Sequence, residues 1–541
     1  MKMAKKKVLR FPLHLSVFIC VHLWLILLSS CGSKPTDLRT VIPADALVYL
    51  ETNDLGKTVA AITQNKSFQQ LAKAQPDTSA LNGIKLAVAV TGFQTSEQAL
   101  TDENSVLNFQ PRFVAVVETN AWNFQAMSFT ENKLGEFINE TYGGEVVLET
   151  SDKHDGKYFV WTAQDGRKAY ALVHGSLIFF GNDESAIEKC LAVSRGEADS
   201  IAKNTKIAAL PADSLASGYI STDGVAQIAN IVGVAVAASQ VGEEEFVKSF
   251  IATTLPQLLR NSVSEVSWTA TKTEQGIEDK YAISTVSDVS GVFSETLSAS
   301  EQPDLFLLED LPTDLPTVTL YNLKQAQVAW RSVLLVAQKQ SDPVAGKMLG
   351  VFSSLVLEPY GVRDVEMFAS SVGPTIVTAK LDVDGEKPVV IARIKERINV
   401  RRSLLSEFKA PKPEKGEPGV EVWTTADGGL SAAYVGDVII LGDTDLVNKC
   451  LATDRLTIKT RQDVMLKRLG DIKTSAAVTA GIDDVSLSKI IAVFGEKKSD
   501  DGASSGTYRT QTRFNKSGIE RRTVSDFGLI GSIIEQLGKE N

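Results

Sequence analysis

Five short segments of this chain recur later in the same order, and a duplicated chain is limited to folds that two like units can build together. Ile42-Pro43-Ala44-Asp45, followed by Asn53, returns as Leu311-Pro312-Thr313-Asp314, followed by Asn322. Trp161-Thr162-Ala163-Gln164-Asp165-Gly166 returns as Trp423-Thr424-Thr425-Ala426-Asp427-Gly428, and Lys189-Cys190-Leu191-Ala192 as Lys449-Cys450-Leu451-Ala452. Further on, Gly276-Ile277-Glu278 matches Gly518-Ile519-Glu520, and Thr285-Val286-Ser287-Asp288 matches Thr523-Val524-Ser525-Asp526. Chance supplies a single match of this length in 541 residues, so the common order is the signal. The spacing between partners falls steadily through 269, 262, 260, 242 and 238 residues, as it does when the second copy has lost loop residues at several places.

Each copy mixes two hydrophobic periods. Residues 46–52, 85–91, 113–118, 157–162, 169–173 and 177–180 are short β-branched or aromatic runs bounded by Gly, Asn or Asp, which predicts strands. Tight turns such as Asp165-Gly166 and His174-Gly175 between them predict antiparallel pairing. Helices interrupt the meander: Asp183 or Ser185 caps one bearing Ile187, Cys190 and Leu191 on one face, and Asp445 caps its counterpart with Leu446, Val447, Cys450 and Leu451. Three glutamates after Gly242 open another, carrying Phe246, Phe250 and Ile251. The apolar run from Ile228 to Ala238 reads as a buried helix, with lipid contact as the alternative. Strands and helices are locally segregated, so the class is α+β, in two tandem copies of an antiparallel sheet with helices. The expected division is a first copy at 41–297, a linker at 298–316 and a second copy at 317–541, with an exposed loop at 410–419.

The first 30 residues belong to neither copy. Lys2, Lys5, Lys6, Lys7 and Arg10 precede a short apolar run from Ser16 to Leu28, the pattern of an export signal and too short for the roughly 20 apolar residues of a membrane span. The run ends in Leu28-Ser29-Ser30-Cys31, which resembles the lipobox of bacterial lipoproteins. That resemblance implies cleavage before Cys31, a diacylglyceryl thioether on its sulfur and acylation of the new amino group. It also implies a mature protein held to its membrane by two or three fatty chains, where one alone holds only marginally. Residues 31–40 form a tether of about 30 Å at most, and Gly32, in place of a retention aspartate, leans the expectation towards an outer-membrane protein facing the periplasm. The segments IPADALVYLETNDL and GNDESAIEKCLA resemble parts of a family of uncharacterised bacterial envelope proteins, which supplies no active-site residues to carry over.

Composition narrows the chemistry. The net charge of −10 becomes −15 once the five cations of the leader are gone, which argues against a nucleic-acid partner. Cys20 leaves with the leader and Cys31 is the lipidation residue, so Cys190 and Cys450 are the remaining thiols. They are either a matched pair of core positions or, beyond an oxidising inner-membrane boundary, a disulfide joining the copies. Only His154 and His174 remain after the leader, both in turns, so no metal site is expected. Gly502-Ala503-Ser504-Ser505-Gly506 matches a nucleophile elbow in spelling but sits in a polar loop, and Asp382-Val383-Asp384-Gly385-Glu386 has its Gly at the wrong position for a calcium loop and reads as a hairpin turn. The expectation is therefore a membrane-anchored binding or scaffolding module, without cofactor or catalytic residues, whose partner is an envelope protein. The alternatives are an envelope hydrolase with its site between the copies and a carrier of an apolar ligand such as a lipid.

Overall fold

The computed structural model describes residues 36–99, 105–239, 245–382, 387–409, 419–452, 458–498 and 506–538. The leader, the first half of the tether and most of the expected loop at 410–419 lie outside them. The first half of the chain supplies strands β1 (Val48–Thr52), β2 (Lys85–Ala99), β3 (Ser105–Glu118), β4 (Val147–Lys153), β5 (Gly156–Thr162), β6 (Lys168–His174), β7 (Leu177–Gly181), β8 (Ala216–Ile220), β9 (Val263–Thr273) and β10 (Gly276–Thr285). The second supplies β11 (Thr317–Asn322), β12 (Val372–Lys380), β13 (Pro388–Ile394), β14 (Val420–Thr424), β15 (Leu430–Val435), β16 (Val438–Asp443), β17 (Ala477–Ile482), β18 (Thr507–Asn515) and β19 (Gly518–Ser525). All six strands expected in the first half are present, and the α+β class with antiparallel pairing holds throughout.

These 19 strands join in one antiparallel sheet. Its order from edge to edge is β4-β5-β6-β7-β3-β2-β1-β8-β9-β10, then across one junction to β19-β18-β17-β11-β12-β13-β16-β15-β14. An open twisted sheet rarely exceeds about ten strands, and this one consists of two arms meeting at the β10–β19 pair. The recurring Gly-Ile-Glu motif has its physical reason there. Gly276 and Gly518 open those two strands with φ of 129° and 136°, and a Cβ on either would stand 2.3 Å from the Ser525 carbonyl oxygen or 2.1 Å from that of Ile283. Only glycine lets the two strands close on each other in that conformation.

Helices cover the arms, and some cross the junction. Leu487, Ile490 and Ile491 of helix Leu487–Phe494, with Phe527 and Ile530 around helix Gly528–Glu535, share a core cluster with Ile62, Phe68, Trp268, Ala270 and Ile277 of the other arm. Buried Asp279 on β10 ties this crossing down, accepting hydrogen bonds from Trp268 Nε1 and the Leu529 backbone N–H, each at 2.8 Å. On the other side, Phe250 of helix Glu245–Ser262 meets Phe352 of helix Pro343–Phe352 with ring centroids 5.1 Å apart. The apolar run at Ile228 lies in helix Thr222–Ser239, which buries Ala229 and Ala237 and packs along helix Glu245–Ser262. Among the described residues, no helix is long and apolar enough to cross a membrane.

Three expected boundaries move. The tether ends earlier than residue 40, because Leu38–Thr40 form a turn in which Leu38 is buried and Arg39 pairs with the buried Glu51. Glu51 also accepts hydrogen bonds from the Tyr49 hydroxyl at 2.7 Å and the Ser217 hydroxyl at 2.8 Å, so the entry of the chain is locked to the sheet. Residues 298–316 are no linker: Leu307, Leu308, Leu311 and Leu315 are buried in the core of the second arm. Their leucines lose too much water-exposed apolar surface on packing to stay in solvent. The helix Thr444–Leu451 is capped by Asp443, whose carboxylate accepts from the Asp445 and Leu446 N–H groups, and Asp445 instead sits inside its first turn.

Candidate functional site

At the junction, period-two alternation places Glu278 and Lys280 of β10, Arg522 and Val524 of β19, and Arg509, Gln511 and Arg513 of β18 on one face. The opposite face carries Ile277 and Asp279 into the crossing helices. The polar face forms a cleft of about 230 Å³ lined by Glu278, Asp471, Arg509, Gln511, Arg513, Arg522 and Val524. Arg522 Nη2 donates to both carboxylate oxygens of Glu278, at 2.8 and 2.7 Å, which holds the Arg522 guanidinium above its usual pKa. Gln511 Nε2 donates to the Asp471 carbonyl at 2.7 Å, and Arg513 Nη2 to the Thr474 hydroxyl at 2.6 Å. Arg509 reaches across the junction to Gln275 Oε1 at 3.3 Å.

The cleft's two carboxylates are already engaged, Glu278 by Arg522 and Asp471 by the Lys473 N–H of its own turn at 3.2 Å. None of the lining residues is a histidine, cysteine, serine or threonine that could serve as base or nucleophile. The Nε–H groups of Arg513 and Arg522 are buried without an acceptor among the described residues. A buried unsatisfied donor costs about 1–3 kcal/mol, so the cleft carries two groups whose hydrogen bonding is incomplete.

The residues singled out in the sequence are not brought together. Cys31 lies outside the described residues, as do Ser504 and the turn around Asp384; the strands flanking that turn, β12 and β13, do pair as a hairpin with Lys380 opposite Pro388. Cys190 and Cys450 are reduced thiols in two different core clusters, so no disulfide joins the arms. Burial pushes each thiol up to about 12. His154 and Asp155 form the two-residue turn between β4 and β5, both at positive φ, with His154 Nδ1 3.4 Å from the Arg195 guanidinium. His174 ends β6 and is exposed. No group of three or more potential metal ligands assembles among the described residues. Sequence reasoning misses the junction arginines, although Thr507-Tyr508-Arg509-Thr510-Gln511-Thr512-Arg513 alternates in the manner of a strand with one basic face.

No family model matches the chain, and no curated protein matches it. Among solved structures, crystal form III of TP0453 aligns at 8% identity with a TM-score of 0.21, covering 44% of this chain and 99% of that one. At that score the likeness carries neither fold nor function.

Proposed function

We propose that this chain is a lipid-anchored protein of the bacterial cell envelope, built from two copies of one α+β unit, whose junction cleft binds an oxyanion without transforming it. The anchor reading rests on the Leu28-Ser29-Ser30-Cys31 motif, with the mature protein expected at the outer membrane facing the periplasm. The resemblance of its opening segments to uncharacterised envelope proteins is consistent with that placement.

The duplication is supported by the order of strands. Outward from the junction, one arm runs β10-β9-β8-β1-β2-β3-β7-β6-β5 and the other β19-β18-β17-β11-β12-β13-β16-β15-β14, the same connectivity over nine strands each, with β4 an additional edge strand on the first arm. The recurring motifs fall on corresponding elements: Trp161 on β5 and Trp423 on β14, Cys190 and Cys450 on the helices after β7 and β16, Gly276 and Gly518 at the starts of β10 and β19. Both arms also begin with a short turn capped by an aspartate, Asp37 for Leu38–Thr40 and Asp304 for Leu305–Leu308.

One observation carries the binding role: three guanidinium groups converge in a cleft without a base or nucleophile, and two of their buried N–H groups lack an acceptor among the described residues. Calorimetric titration of the mature protein with inorganic phosphate tests it. Saturable binding, weakened about tenfold by Arg513→Gln and falling with added salt, is expected for a charge-assisted pair. Turnover of an ester or glycoside that one serine or acidic substitution abolishes would make the protein a hydrolase instead.

A further inference from the structure

A second cleft, of about 270 Å³, lies near the far edge of the second arm, remote in strand order from the junction. Helix Arg397–Ser403 and the segment after it bring Arg401, Arg402 and Phe408 to it, the loop before helix Val365–Ser371 brings Arg363, and β14 and β15 bring Trp423 and Tyr434. Unlike the junction cleft, its lining has no carboxylate. The guanidinium of Arg401 stacks over the Trp423 ring at 3.8 Å from its centroid, and Trp423 is itself held by a hydrogen bond from its Nε1 to Glu421 at 2.6 Å. The Tyr434 hydroxyl is buried with no hydrogen-bond partner among the described residues. Arg363, Arg401 and Arg402 make no ion pair among the described residues either, although arginines that face a common space without counter-charge repel one another.

The first arm shows what a filled version of this place looks like. Trp161, on the corresponding outer strand β5, is 1% exposed, stacks on Phe159 and shares its core cluster with Ala126 and Ile138. Trp423 is 8% exposed and carries Arg401 on its ring instead, so where the first arm is closed by apolar side chains the second leaves an opening ringed by cations and aromatic faces. Three guanidinium groups gathered without a carboxylate favour an anion, and the aromatic wall with its polarised ring favours a ligand that also has an apolar, flat part.

We propose that this cleft binds a small amphipathic anion, a carboxylate or phosphate group carried on an aromatic or short aliphatic body of about a dozen heavy atoms. The anionic end meets Arg363, Arg401 and Arg402, and the apolar end lies against Phe408 and the remaining exposed part of Trp423.

Phenyl phosphate, inorganic phosphate and benzyl alcohol are the probes, titrated calorimetrically into full-length mature protein carrying Arg513→Gln, which weakens the junction cleft's own response, while the Arg363 and Arg402 variants identify the heat that belongs to this cleft. Phenyl phosphate should bind saturably, at least about tenfold tighter than inorganic phosphate, and benzyl alcohol should not bind measurably. Arg402→Gln and, separately, Arg363→Gln should each weaken phenyl phosphate by about tenfold while leaving the thermal unfolding midpoint unchanged. Equal affinity for phenyl phosphate and inorganic phosphate overturns the apolar half of the proposal. Binding that neither substitution alters, or no saturable binding by about 10 mM, overturns the site. Retention of phenyl phosphate binding in the Arg513→Gln background separates this result from failure of the junction cleft.

Discussion

Replacing Asp279 by asparagine isolates the energetics of the buried carboxylate at the crossing of the arms. Asp279 is 2% exposed, and its burial raises its pKa from 3.8 to about 6 even though two hydrogen bonds to its oxygens oppose the shift. The folded protein therefore holds a proton between those values that the unfolded chain has released. Stability from this residue is fully present below about 3.8 and is lost as pH rises through about 6. The interval corresponds to about 3 kcal/mol, and the near-complete burial leaves little solvent screening to reduce it. The amide in the Asp279→Asn variant would not titrate, so the variant lacks this component, although one of its two donors, Trp268 Nε1 or the Leu529 N–H, must then face an amide NH₂. The assay is urea unfolding of both proteins at pH 4.5 and 7.5, taking the difference between them so that other titrating carboxylates such as Asp310 cancel. The stability advantage of the native residue should shrink by about 2 kcal/mol across that range, the remainder of the interval having been lost already below pH 4.5. A difference constant to within about 0.5 kcal/mol would show that Asp279 is ionised throughout, and the reasoning from burial would fail.

Gly518→Ala places a Cβ 2.1 Å from the Ile283 carbonyl oxygen at a φ of 136°, and thermal unfolding should fall by several degrees; an unchanged midpoint would mean that β10 and β19 are not closely paired. Glu51→Gln leaves the partly buried Arg39 without its counter-charge and should cost about 3 kcal/mol, with new protease cleavage near Thr40 as the readout; wild-type resistance would contradict the lock on the chain's entry. The Cys190 and Cys450 thiols, pushed up to about 12 by burial, should resist a disulfide-exchange reagent in the folded protein and react on unfolding, and rapid reaction of the native protein would refute their core placement.

What the sequence reveals here is what local chemistry controls. The β-branched runs at 85–91 and 177–180 form β2 and β7 because their alternation and flanking glycines act within a few residues. Asp183 caps its helix as expected, whereas Asp443 takes the cap expected of Asp445, a shift of the size that helix ends ordinarily show. Leu307, Leu308, Leu311 and Leu315 resemble a linker in sequence because prolines and acids surround them, and only tertiary packing reveals that they close a core. The β10–β19 junction depends on strands more than 230 residues apart in the chain, so no local pattern announces it, even though its two glycines stand in the repeated motif. The arginines of the junction cleft come from adjacent strands β18 and β19, and alternation along residues 507–513 points to Arg509 and Arg513 but not to Arg522. The carboxylate of Glu278 that pairs with Arg522 joins them only through the crossing of the arms.

The intact mass of the mature protein, isolated from the membrane fraction of the cells that make it, decides whether the lipid anchor exists. A chain beginning at Cys31 and heavier by a diacylglyceryl group and an amide-linked acyl chain is the predicted result. A chain that retains Met1, or one that begins near residue 31 with no added mass, would contradict it.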